Sequence, residues 1–125
     1  MIPRKGAQLQ GRAGQVPVEL AVSAITMAEL AAGPHATGDG DERARRQDRL
    51  QRAEAAFDPL PFDGEAARAY GRVYPAEVAG GRMARGARAP DLLIAATACA
   101  AGLPLYTGNP ANFQSLRSLI EVIAV

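Results

Sequence analysis

The stretch DLLIAATACAAG, residues Asp91–Gly102, decides how the rest of the chain is read. Its apolar residues circle the whole helical wheel instead of forming a stripe, which predicts a helix inside the protein rather than on its surface. Gly102 supplies a stop, and Pro90 stands where a first helical turn tolerates proline. Asp91 therefore marks the point where the core meets something polar. A carboxylate in a first turn gains only about 0.3–1 kcal/mol from the helix dipole. Taken alone, Asp91 is explained as a helix-start residue at least as readily as a functional one.

Composition narrows the alternatives. A chain of 125 residues suits one domain, and 48% apolar residues are enough for a real core. Aromatics make up only 5% and there is no Trp, so the core is built from Ala, Leu, Val and Ile. The single cysteine, Cys99, excludes an intrachain disulfide, and on the apolar helix it reads as a small buried hydrophobe. With His35 the one histidine, nothing suggests nucleophilic cysteine chemistry.

The net charge is +1, which gives no global basic field. The basic residues are nonetheless almost all arginine, the better phosphate-binding side chain. Arg43, Arg45, Arg46, Arg49 and Arg52 alternate with acids and read as a solvated helix face. Arg82, Arg85 and Arg88 lead into Asp91 with no acid among them, and are the better candidates for an RNA phosphate contact. No apolar run is long enough to cross a membrane, and the N-terminus lacks the apolar core of a secretory signal. The expectation is a soluble cytoplasmic protein.

Working outward, residues 1–18 carry glycines and prolines and predict an irregular N-terminal segment, followed by one domain over 19–125. Glu19–Thr26 reads as a buried strand, then a helix to Ala32 broken by Gly33-Pro34. Asp41–Phe57 is a charged amphipathic helix, and Leu60-Pro61-Phe62 a short edge strand. Asp63 caps a helix towards Val78, which Pro75 should kink or split. After the buried helix come a strand Leu103–Thr107, a turn at Gly108-Asn109-Pro110, a short helix near Phe113–Leu119 and a final strand Ile120–Val125. Apolar strands alternating with helices predict an α/β/α sandwich around a parallel sheet, whose ligands sit outside the carboxyl ends of the strands.

Three features fall at those ends. Glu29 follows the first strand, although Thr26-Met27-Ala28-Glu29 also fits a capping box. Asn109 and Asn112 follow Thr107, although Asn forms turns in its own right. Asp91 opens the buried helix. No glycine-rich phosphate loop of the Walker or dinucleotide type is present, and an unrelated small α/β domain with another ligand remains a minor alternative.

Together the segments VSAITMAELAAG (Val22–Gly33), PLPFDGEAARAYGRV (Pro59–Val73) and APDLLIAATACAAGLPLYTGNPANF (Ala89–Phe113), with the closing IEVIAV, resemble the PIN domain family, and within it the VapC-type toxin ribonucleases. The resemblance spans roughly Glu19–Val125 and implies a PIN-like α/β/α fold. It also implies Mg2+- or Mn2+-dependent cleavage of an RNA substrate, neutralisation by a cognate antitoxin and a homodimer. By motif, Glu29 and Asp91 match two of the family's metal-binding acids. Thr107 and Asn109 match its T-x-N segment, and Asn112 the position just before its phenylalanine. Two features depart from the pattern. No acid precedes Glu19, so the family's first strand and its acid are absent or replaced; a changed start of the chain, a degraded copy or a substitute strand would each explain this. Asn112 also stands where an acid is usual, and it brings no charge to a metal. The implied alternative is a catalytically inactive PIN-like module that still binds an antitoxin or RNA.

Overall fold

The computed structural model describes residues 2–3, 20–81 and 86–125. In chain order it runs β1 (Ile2–Pro3), β2 (Leu20–Ala21), α1 (Ala24–Ala32), α2 (Gly40–Ala56), α3 (Gly64–Ala79), α4 (Ala89–Ala101), β3 (Leu105–Thr107) and β4 (Val122–Ala124). Short 3-10 segments at Gly33–Ala36, Gly86–Arg88 and Pro110–Leu116 join or follow the helices.

The buried helix forms as its boundaries predict. Pro90 lies in the first turn, and Gly102 ends the helix with a left-handed φ of 66° that a side chain would strain. Leu92, Ile94, Ala95, Ala96, Thr97 and Ala98 are buried along α4. The Thr97 hydroxyl meets its burial by donating back to the Leu93 carbonyl at 2.9 Å. Helices α3 and α4 make the most extensive helix–helix contact in the protein. Both helices bury small residues, Ala66 and Ala69 on α3 and Ala95, Ala96 and Ala98 on α4. Fully buried Val73, Leu92, Leu105 and Leu116 fill the remaining volume, each worth about 1.5–3 kcal/mol of transfer free energy.

Strands β3 and β4 pair in parallel, Leu105 with Val122 through Thr107 with Ala124, as apolar strands flanking a crossover require. The other strands differ from expectation. β2 covers two residues because Ser23 already caps α1. Its line is continued by a parallel bridge between Ser23 and Leu60, closed by Leu60 N–H to the Val22 carbonyl and Ala24 N–H to the Leu60 carbonyl, both 2.7 Å. Within the segment expected to be irregular, Ile2–Pro3 pairs antiparallel with Leu20–Ala21 and lies against β3. β1 thus pairs with β2 and lies near β3 without a ladder to it, and neither of its residues is an acid.

Asp63 caps α3, accepting from the Ala66 amide at 3.0 Å. Pro75 does not split α3, which runs without interruption from Gly64 to Ala79. Pro75 and Gly71, whose carbonyl loses its usual donor, are both exposed, so water can take that role. The arginines of α2 are not a purely solvated face. Arg43 donates to the Pro34 and Thr37 carbonyls, and Arg46 to the Gly33 carbonyl, holding the 3-10 segment that ends α1. No helix among the described residues is long and apolar enough to cross a membrane.

Candidate active site

Helix α1 starts one turn before the sequence pattern suggests. Ser23 is its N-cap, and its hydroxyl oxygen accepts from the Thr26 amide at 2.9 Å. Thr26 is thus the capped residue rather than the cap, and the Thr26–Glu29 capping box is not formed. Glu29, one turn further along and exposed, is released from the local role that competed with a functional one. Burial on folding, and then repulsion from Asp91, raise its carboxyl above the ordinary 4.5. The two carboxylates expected to hold a metal thus feel each other electrostatically, Glu29 from α1 and Asp91 from the first turn of α4.

Asp91 is half-buried. Burial raises its carboxyl above the usual range; the Arg88 guanidinium opposes this and the Glu77 carboxylate adds to it. Arg88 Nη1 donates to Asp91 Oδ2 at 3.0 Å. The same guanidinium meets Glu77 Oε2 through Nε at 2.8 Å and Nη2 at 2.7 Å, and also donates to the Asn112 carbonyl. Glu77, from the last turn of α3, has a side chain 0% exposed, against 19% for Arg88. Its second oxygen accepts from the Ser115 hydroxyl. Every buried side-chain polar atom among the described residues has a partner, so this acid is accommodated by an arginine and a hydroxyl.

The sequence grouped Arg88 with Arg82 and Arg85 as phosphate contacts. Its guanidinium instead holds two carboxylates and a backbone carbonyl; Arg82 and Arg85 lie outside the described residues. Asn112 is drawn to the cluster through its backbone, and its amide donates to the Asn109 carbonyl at 3.0 Å. Thr107 serves this loop directly, its hydroxyl oxygen accepting from the Asn109 amide at 3.0 Å. Glu77 and Ser115 were missed by sequence reasoning. Glu77 had a readable signal: it lies on the buried stripe Ala66, Ala69, Val73, Glu77, where an acid is out of place without a partner.

Residues 5–117 match the PIN domain. The chain belongs to the PIN domain family. Among its relatives is Ribonuclease VapC5 of Mycobacterium tuberculosis (strain ATCC 25618 / H37Rv), 36% identical over 112 residues, covering 88% of this chain and 79% of the relative. Its PIN fold is similar to that in the crystal structure of VapBC-5, a member of the VapBC family of toxin–antitoxin systems from Mycobacterium tuberculosis. That likeness has a TM-score of 0.78 at 33% identity, over 88% of this chain and 85% of the other. FitAcB from Neisseria gonorrhoeae gives 0.64 at 28%, over 82% and 73%. VapBC2 from Rickettsia felis, solved bound to a DNA fragment from its promoter, gives 0.62 at 25%, over 83% and 73%.

The donor set can be tested against a divalent metal on its chemistry. Among the described residues, no three His, Cys, Asp or Glu side chains gather as metal ligands. What the PIN domain presents here is a pair of hard carboxylates that repel each other. This fits Mg2+ or Mn2+, which are held through one or two carboxylates and keep waters and phosphate oxygens as their remaining ligands.

Proposed function

We propose that this protein is a divalent-metal-dependent endoribonuclease, the toxin of a toxin–antitoxin pair, acting in the cytoplasm and held in check by a cognate antitoxin. The observation that carries the reading is the electrostatic influence of Asp91 on Glu29, each with its carboxyl raised above the ordinary range. A carboxyl raised by burial and then by Asp91, beside an Asp91 itself raised by burial and by Glu77, suits a site built to receive a cation. The kinship with Ribonuclease VapC5 and the structural likeness to VapBC complexes support the substrate and the partner.

Mg2+ or Mn2+, when bound, would neutralise phosphoryl charge and lower the pKa of a water at the scissile phosphodiester. Glu29 and Asp91 would hold the ion. Asn109 and Asn112 would supply neutral amides, suited to orienting a water or a ribose hydroxyl. Arg88 keeps Asp91 in place without reaching outward, and Arg82 and Arg85 remain the phosphate candidates.

The test is RNA cleavage by the purified chain in Mn2+ beside Asp91→Ala. Cleavage by the parent and none by the variant is expected; equal cleavage by both overturns the reading. A second reading, an inactive PIN-like module that binds antitoxin or RNA, is favoured because, among the described residues, no third acid joins Glu29 and Asp91 as a metal ligand. It predicts binding without cleavage at millimolar Mn2+. Replacing Arg82 and Arg85 with Ala should weaken RNA binding and flatten its salt dependence.

A further inference from the structure

The cluster behind Asp91 contains an acid that the metal chemistry does not use. Glu77 is fully enclosed, and both its oxygens are engaged: one by the Arg88 fork, one by the Ser115 hydroxyl. Arg88 in turn is the cation bonded to Asp91, and it also grips the Asn112 carbonyl. One buried carboxylate therefore ties three pieces of chain together: the end of α3, the start of α4 and the Pro110–Leu116 segment. Gly80 is part of the arrangement. A Cβ there would stand 2.8 Å from Ser115 Cβ, so a bare backbone at the end of α3 is what lets Ser115 approach Glu77.

We propose that Glu77 is a positioning residue for the metal site: by holding Arg88, it fixes the Asp91 carboxylate and limits how strongly Arg88 competes with a divalent cation for it. This rests on the proposed metal-binding role of Asp91. An arginine with two carboxylates divides its attraction between them. With Glu77 neutralised, the same guanidinium has Asp91 as its one anionic partner, and the negative potential around Asp91 falls as well. Both changes act against a cation. Groups that orient a metal ligand without touching the metal are commonly worth about 10–100-fold in metal affinity.

The test is Mn2+ binding to the purified full chain, followed by electron paramagnetic resonance, for the parent, Asp91→Asn, Glu77→Gln and Ser115→Ala, with folding checked by circular dichroism. Glu77→Gln keeps the volume of the side chain and removes its charge; the expected result is about a tenfold weaker Mn2+ affinity or more with the fold retained. Ser115→Ala removes one hydrogen bond to Glu77 and should weaken Mn2+ in the same direction by a smaller factor. In cleavage assays the loss in Glu77→Gln should be recovered in part at high Mn2+, which a general loss of structure would not allow. A folded Glu77→Gln that binds Mn2+ like the parent overturns the inference. If Glu77→Gln does not fold, Ser115→Ala decides: unchanged Mn2+ affinity overturns it. Failure of the parent to bind Mn2+, or full retention by Asp91→Asn, overturns the proposed function and this inference together. Loss in Asp91→Asn with none in the other variants overturns this inference alone.

Discussion

Truncating Arg88 to alanine isolates the energetics of the buried acid. Glu77 is 0% exposed, and without Arg88 it would keep only the Ser115 hydroxyl as a partner. Breaking one side of a buried ion pair costs about 3–5 kcal/mol, because the remaining charge is left without compensation. Arg88 is 19% exposed, so some water can reach the vacated space, and the lower end, about 3 kcal/mol, is the better figure. Domains of this size lose about 3–5 °C of Tm per kcal/mol, interpolating between shorter and longer chains, so the drop should be about 10–15 °C. Against a total stability of about 5–15 kcal/mol, the variant should still fold at room temperature. The companion is Arg88→Met with Glu77→Leu. Removing both charges leaves no buried ion, and the remaining loss is about 1 kcal/mol for each polar group left without its partner. The double variant should therefore melt above the single one. The assay is thermal unfolding at neutral pH in the presence of a chelator. A single variant within about 3 °C of the parent, or a double variant no more stable than the single, would refute the assignment of Glu77 and Arg88 as a compensated buried pair.

Three further outcomes rest on the same geometry. Glu29→Gln should raise Tm slightly while abolishing cleavage, since it removes repulsion towards Asp91; a lower Tm would show that Glu29 stabilises the fold. The pH dependence has a definite sign. Glu29 and Asp91 have carboxyls raised above 4.5 and 3.8, so the folded state binds more protons than the unfolded one just above those values. Their contribution to stability is thus lost as pH rises through that window, whereas Mn2+ affinity grows as the acids ionise. Calorimetry and Mn2+ titration across the window should move in opposite directions. Gly80→Ala should destabilise the protein by about 1–3 kcal/mol, as overpacking does, because its Cβ would meet Ser115; a chemical-denaturation midpoint equal to the parent's would contradict that close approach.

How much of this was legible in the sequence depended on how far each residue's partners lie along the chain. α4 was readable to within a residue or two because Pro90 and Gly102 act locally. Strands were read too long wherever apolar residues flanked them: Ser23 ends β2 by capping α1, and Leu103 and Pro104 precede β3 without joining it. Pro75 misled because a proline's cost depends on whether its turn faces water. Glu29 and Asp91 came from motif context; that one acid influences the other is a tertiary effect no local pattern carries. The position of Glu77 on the buried stripe of α3 was legible, but its partners were not, because Arg88 lies 11 positions away and Ser115 lies 38. Arg88 was assigned to the surface for the same reason: charge along a sequence does not reveal which guanidinium turns inward.

The alanines of α3 and α4 set an unusual tolerance to change. Most cores fail by subtraction, when a large side chain is trimmed and a void opens. Here Ala69, Ala95, Ala96 and Ala98 are already near the minimum, and each is fully enclosed in the core. This layer fails by addition. In a saturation scan, a single methylene gained at these positions should be as damaging as a hole elsewhere, and valine should be rejected where glycine survives. The two helices also carry Glu77 at the end of one and Asp91 at the head of the other. Any residue that wedges them apart would separate Glu77 from the arginine that links it to Asp91, so under the proposed function activity should fade in variants that still fold.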